Sequence, residues 1–189
     1  MVPHVFEPAA LHDVARAHAG RPLPQVLDAL LGDLEARYPG RIHRDQPWIF
    51  SNAGGAMVQM KVLYASLTEY VMLLGTPIGT EGHSGRHWVE FHDTVLFGEA
   101  WYYHEGQLDK TVYRSGDRIV LRRSAAAGFR VPGEVWMLEY ARGAIPLSLP
   151  FGLADSLFST LDLVTVARSL RVYAKLMVRS LSPGRAAHR

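Results

Sequence analysis

Apolar and polar positions alternate with period two over short runs through the middle of this chain, and recur at helical spacing at both ends. The alternating runs predict strands at 57–64, 68–74, 83–93, 95–103, 110–113, 118–122 and 134–141. Gly54-Gly55, Gly75 with Pro77 and Gly79, Glu105-Gly106, Ser115-Gly116-Asp117 and Pro132-Gly133 supply the turn chemistry between them. Many short strands at this spacing predict a small barrel or sandwich rather than a parallel α/β sheet. Ahead of them, helices are predicted over 6–19 and 25–38. In the second, Val26, Leu27, Leu30, Leu31 and Leu34 share a face, and Pro39-Gly40 stops the helix. After Pro146 and Pro150, residues 151–181 predict one or two helices with an apolar stripe of Leu163, Val166, Leu170, Tyr173 and Met177. The 189 residues thus read as one domain, with a helical segment at 1–40, a β region at 48–145, C-terminal helices at 147–181 and a frayed tail, SPGRAAHR.

Two of the strands carry the candidate chemistry. In HSGRHWVEFHD at 83–93, alternation puts His87, Val89, Phe91 and Asp93 on one face and Trp88, Glu90 and His92 on the other. In WMLEY at 136–140, Glu139 shares a face with Val135 and Met137, opposite Trp136, Leu138 and Tyr140. A carboxylate in an apolar row is costly to bury ionised unless it is paired or protonated. Two that face each other can share one proton. Arg142 or Arg86 would otherwise serve as an ordinary ion-pair partner for Glu139, and Tyr70 in TEYVMLL can hydrogen-bond one of the two carboxyls.

Composition removes several alternatives. There is no cysteine, which excludes disulfides, thiolate nucleophiles and cysteine-based metal centres. His83, His87, Glu90, His92 and His104 are close in sequence, but His87 and His92 fall on opposite strand faces and cannot converge without a bulge. No metal or cofactor is expected. Ser84 lies between His83 and His87 without a nucleophile elbow around it, and the glycines at 54–55 and 82–85 do not form a phosphate loop. A formal charge of +2 makes no case for nucleic acid. The N-terminus lacks the pattern of a signal peptide, no window is apolar enough to cross a membrane, and cytoplasmic residence is expected. Arg168, Arg171, Lys175 and Arg179 form a basic stripe on the last helix, suited either to a membrane surface or to a helix capping the barrel mouth with its charges in water.

Five blocks carry a resemblance: NAGG at 52–55, ASLTEY at 65–70, GHSGRHW at 82–88, WMLEYARGAIP at 136–146 and LADSLFST at 153–160. Over roughly 37–176 the chain resembles the family of the sigma-one receptor and the fungal sterol C-8 isomerase. The resemblance implies a mainly β, cupin-like barrel with N-terminal helices, enclosing an apolar pocket covered by two C-terminal amphipathic helices that face the membrane. It implies that Glu139 is the buried glutamate that pairs a cationic amine, that Asp93 shares its proton, and that Tyr70 orients it. The pocket so implied includes Met60, Met72, Leu74, His87, Phe91, Trp101, Tyr103, Ile145, Leu149 and Tyr173. Two positions depart from the receptor: Ala56 replaces a tryptophan and His87 a tyrosine. The chain begins about where the receptor's N-terminal membrane helix would have ended, so that anchor is not expected.

The expected chemistry follows from the pair. Two close carboxyls do not both ionise cheaply, so one keeps a proton and acts as an acid. Protonation of an alkene yields a carbocation, stabilised by the other carboxylate and by the faces of Tyr70, Phe91, Trp101, Tyr103 or Tyr173. Proton loss completes a double-bond shift in a sterol or terpenoid, and trapping by a second alkene would give a cyclase. The competing class is a non-catalytic binder of lipophilic amines or sterols. The expected partners are a lipophilic small molecule, a membrane surface touched peripherally and further copies of the chain in a homo-oligomer.

Overall fold

The computed structural model describes residues 4–181, and the tail read as frayed lies outside them. Two helices come first, α1 (Pro8–Ala17) and α2 (Leu23–Arg37), each with proline in its opening turn, where a missing N–H leaves no bond unmade. Ten strands follow: β1 (Ile49–Ala53), β2 (Ala56–Ala65), β3 (Glu69–Thr76), β4 (Thr80–His83), β5 (Val89–Phe97), β6 (Glu99–Tyr103), β7 (Thr111–Arg114), β8 (Arg118–Leu121), β9 (Gly128–Val131) and β10 (Val135–Gly143). A 3-10 turn at Ile145–Leu147 leads into α3 (Leu149–Phe158) and α4 (Leu163–Leu181).

The strands form two antiparallel sheets, ordered β1-β2-β3-β10-β5-β8 and β4-β9-β6-β7. The chain passes repeatedly from one sheet to the other, in the cupin-like, mainly β architecture expected from the resemblance. The tightest crossing is Gly98, one residue between β5 and β6, with φ of 86° and so little room that a Cβ would lie 2.1 Å from the Glu134 carbonyl oxygen. Such corners turn strands out of one ladder into the other. The ring of hydrogen bonds is therefore not closed, and the cupin-like barrel is an open one built as two sheets.

The predicted strands 83–93 and 95–103 are divided differently. Residues 84–88 form a loop, turned at Gly85 with φ of 79°, so the strand bearing Asp93 starts only at Val89 and runs on to Phe97. The alternation of the sequence does not predict strands β1, β4 and β9. β1 and β2 are joined by Gly54-Gly55 alone, with φ of 61° and 85°, a two-residue hairpin loop that only such residues make without strain.

Both faces of the larger sheet are apolar because both are covered. On its outer face Leu63, Tyr64, Val71, Leu73, Leu96, Trp136, Leu138 and Tyr140 pack against Leu11, Ala15, Val26, Leu30 and Leu34 of the N-terminal helices. The buried Glu69 carboxylate accepts from the Val5 and Phe6 backbone N–H groups at 2.6 and 3.3 Å and pins the N-terminal segment there. On the inner face α4 places Val172, Tyr173 and Leu176 against Ile49, Met60, Val62 and Met72. Asp162 caps α4, accepting from the Thr165 N–H at 2.9 Å and its hydroxyl at 2.7 Å. The buried face of α4 is Thr165, Val166, Ser169, Val172, Tyr173 and Leu176, rotated from the predicted stripe, and Leu163 and Leu170 are exposed.

Candidate functional site

Antiparallel pairing sets Glu139 on β10 directly opposite Asp93 on β5 and opposite Met72 on β3. Directly opposed residues stand with Cβ atoms ~4.5–5.5 Å apart. Alternation turns both carboxyls inward, while Trp136, Leu138, Tyr140 and His92 point to the other side. Tyr70, opposite Ala141, lies diagonally from Glu139, and its hydroxyl donates a short hydrogen bond to Glu139 Oε1. Asp93 is 7% exposed, and its Oδ1 is buried without a partner among the described residues. The two carboxyls make no hydrogen bond to each other among the described residues.

Among the described residues neither carboxyl has a basic partner. Arg142 is bound to Glu90 at 2.7 Å, and Arg86 is paired with Glu105. Burial, then the charge of Glu139, pushes Asp93 well above the carboxylate range. Burial raises Glu139 to about 7, against the opposing pull of the Tyr70 hydrogen bond. Two buried carboxyls raised together titrate as one coupled pair, and the Tyr70 donor favours the ionised form of Glu139 over that of Asp93. Burial and the Glu139 charge hold the Tyr70 hydroxyl far above its usual range, so it remains a donor.

The pair faces a cavity of about 220 Å³ lined mostly by apolar side chains. Of the residues predicted to bind substrate, Met60, Met72, Leu74, His87, Phe91, Leu149 and Tyr173 line it, together with Tyr70, Asp93 and Glu139. Tyr173 meets Tyr70 edge-on at 6.3 Å. Ile145 is fully buried in the adjoining core and does not line the cavity. Trp101 and Tyr103 do not line it either. The Trp101 indole binds Glu99 at 2.9 Å beneath the Lys110 ammonium, and Tyr103 is 54% exposed. Tyr102 lines it instead, stacked on Phe129 at 5.6 Å. In a strand one residue's slip reverses every face. The signal for Tyr102 was Ala100, fully buried two residues earlier on the same face. Phe129 went unrecognised along with β9.

The histidines scatter. His92 projects from the outer face of the sheet between Glu90 and Arg118, His104 binds the Ala126 carbonyl, and His83 and His87 border the cavity. Among the described residues no three side chains of metal-binding type are gathered.

The profile of the family described as "ERG2 and Sigma1 receptor like protein" matches residues 2–185. The chain belongs to this family. Sigma non-opioid intracellular receptor 1 of Gallus gallus is 43% identical over 172 residues, 90% of this chain and 78% of that protein. C-8 sterol isomerase erg2 of Aspergillus fumigatus is 38% identical over 183 residues, 94% of this chain and 76% of that one. Among solved structures, an RmlC-like cupin from Shewanella frigidimarina aligns with a TM-score of 0.47 and 18% identity, over 56% of this chain and 91% of that one. The family thus includes a fungal sterol isomerase and vertebrate sigma receptors.

Proposed function

We propose that this member of the sterol isomerase and sigma receptor family moves a carbon–carbon double bond in a lipophilic sterol-like or terpenoid substrate, with Asp93 as acid and Glu139 as base. The observation that carries this reading is the direct register of the two carboxyls on β5 and β10, facing an apolar cavity with no basic partner among the described residues. Protonated Asp93 gives its proton to one alkene carbon. The resulting cation is held by the Glu139 carboxylate and by the faces of Phe91, Tyr102 and Tyr173. Glu139 then takes a proton from the neighbouring carbon, and exchange of the pair's proton with solvent between turnovers restores protonated Asp93 and ionised Glu139. The apolar lining keeps water from the cation. Incubation of the purified protein with sterols and polyprenoids, with products resolved by mass spectrometry and NMR, tests this. A migrated double bond supports it, and a cyclised product would favour a cyclase on the same pair.

The receptor-like reading is favoured by one feature: a single ionised carboxylate, oriented by Tyr70, among aromatic faces is suited to an ammonium as well as to a carbocation. We also propose that α4 meets a membrane surface, because Leu163, Val164, Leu170, Val178 and Leu181 are exposed beside Arg168, Arg171, Lys175 and Arg179. No described helix is long and apolar enough to cross a membrane.

A further inference from the structure

The GHSGRHW block contributes nothing to the carboxyl pair, yet it places two histidines on the cavity. His83 is exposed, so the cavity opens there, and His87 is buried just inside. The hydrogen bonds assign the tautomer of each ring. The Gly85 N–H donates to His83 Nδ1 at 2.9 Å, so a neutral His83 carries its proton on Nε2. His87 Nε2 is 3.0 Å from the Ser84 carbonyl, which can only accept, so Nε2 carries the proton and Nδ1 keeps a lone pair. Burial, helped by nearby His83, lowers the basicity of His87 and keeps it neutral. Neither His83 Nε2 nor His87 Nδ1 has a partner among the described residues.

This leaves one donor and one acceptor, unpartnered among the described residues, on two imidazoles that line the same apolar cavity. The loop that brings them together depends on Gly85, where a Cβ would lie 2.2 Å from His87 Nε2 and the backbone has φ of 79°. Edge-on contacts of the His87 ring with Phe91 at 5.4 Å and Phe151 at 4.9 Å hold its orientation.

We propose that His83 and His87 form a hydroxyl-recognising subsite and that the substrate is a lipophilic alcohol. Its O–H donates to His87 Nδ1, and its oxygen accepts from His83 Nε2–H. This rests on the reading of the cavity as the substrate site. A ketone could accept from His83 but would leave His87 unmatched, and so would an ether. Phe91 is two strand positions, ~7 Å, from Asp93, and His87 is the next ring beyond it, so the subsite lies on the order of 10 Å from the acid. A fused-ring or polyprenoid skeleton bridges that span with its alkene at the carboxyl pair.

The test measures binding by the full chain of a Δ8-sterol with a free 3-hydroxyl, its 3-O-methyl ether and its 3-ketone, and of farnesol with its methyl ether. The alcohols are expected to bind about 10–100-fold more tightly than their ethers, and the sterol likewise more tightly than its ketone. His87→Phe should nearly erase that preference. His83→Ala, at an exposed position that spares the fold, should weaken it. Equal binding of alcohol and ether on both skeletons, or binding of none of the five, would overturn the proposal. So would a preference that survives both histidine variants and vanishes in Ser169→Ala, whose hydroxyl is buried and unpartnered on the same cavity. The readout is binding and not turnover. An alcohol preference without any product would uphold the subsite while removing the isomerase reading.

Discussion

Asp93 and Glu139 are direct partners in the β5–β10 register, yet among the described residues only Glu139 has a hydrogen-bond donor, the Tyr70 hydroxyl. This asymmetry divides the roles. The supported carboxyl carries charge more easily, and in the proposed mechanism the unsupported one keeps the proton.

The division predicts a bell-shaped pH profile. As pH falls through about 7, Glu139 takes up a proton and the base is lost, so kcat/KM declines on the acid side. As pH rises through the elevated value of Asp93, the acid is lost. Tyr70→Phe removes a hydrogen bond to a charged group worth about 1.5–3 kcal/mol, so the acid limb should move upward by roughly 1–2 pH units. A profile unmoved by that substitution would contradict the asymmetry.

The pair should also destabilise the fold at neutral pH. Both folded-state pKa values are raised, so from about pH 4 upward the folded protein holds protons that the unfolded chain releases. Stability is therefore greatest below that window and falls as pH rises through it. Asp93→Asn relieves the cost of protonating that carboxyl on folding and Glu139→Gln the cost of burying a charge, so each should raise Tm at pH 8, by about 2–4 °C for each kcal/mol relieved. The gain should vanish near pH 4. Equal gains at both pH values, measured by thermal scans, would point to a packing effect instead.

Much of this site was legible because a carboxylate in an alternating apolar run stands out against its neighbours. Val135, Met137 and Glu139 face inward, as do Phe91 and Asp93, and the helical leucines at 30, 31 and 34 are buried. What was not legible depends on contacts distant in sequence. Three consecutive aromatics, Trp101, Tyr102 and Tyr103, conceal which one faces in until the corner at Gly98 sets the register. The four residues of β9 form a strand only between β4 and β6. On α4, apolar residues occur on both sides of the helix, so hydrophobicity alone did not identify Thr165 and Ser169 as buried.

Hydrophobic tertiary amines should compete with substrate, because an ammonium resembles the carbocation in charge and position. Glu139→Gln keeps the shape and removes the anion, and titration calorimetry should show amine affinity falling by about 10–100-fold or more. Unchanged affinity would place the cation elsewhere.

The exposed apolar and basic residues of α4 predict stronger binding to vesicles containing anionic phosphatidylserine than to neutral phosphatidylcholine, and added salt should weaken it. Co-sedimentation that is equal for both compositions, or absent, would leave α4 as a cover for the cavity only.

The most direct test of proton transfer through Asp93 and Glu139 is turnover in deuterium oxide. Wild-type protein should place one solvent deuteron on the newly protonated carbon of the isomerised alkene, resolved by NMR. Asp93→Asn and Glu139→Gln should each abolish incorporation while still binding the neutral substrate, and the double variant should be no worse than either, since the two carboxyls act as one unit. A migrated double bond with no solvent deuterium, or undiminished incorporation in either single variant, would contradict the account.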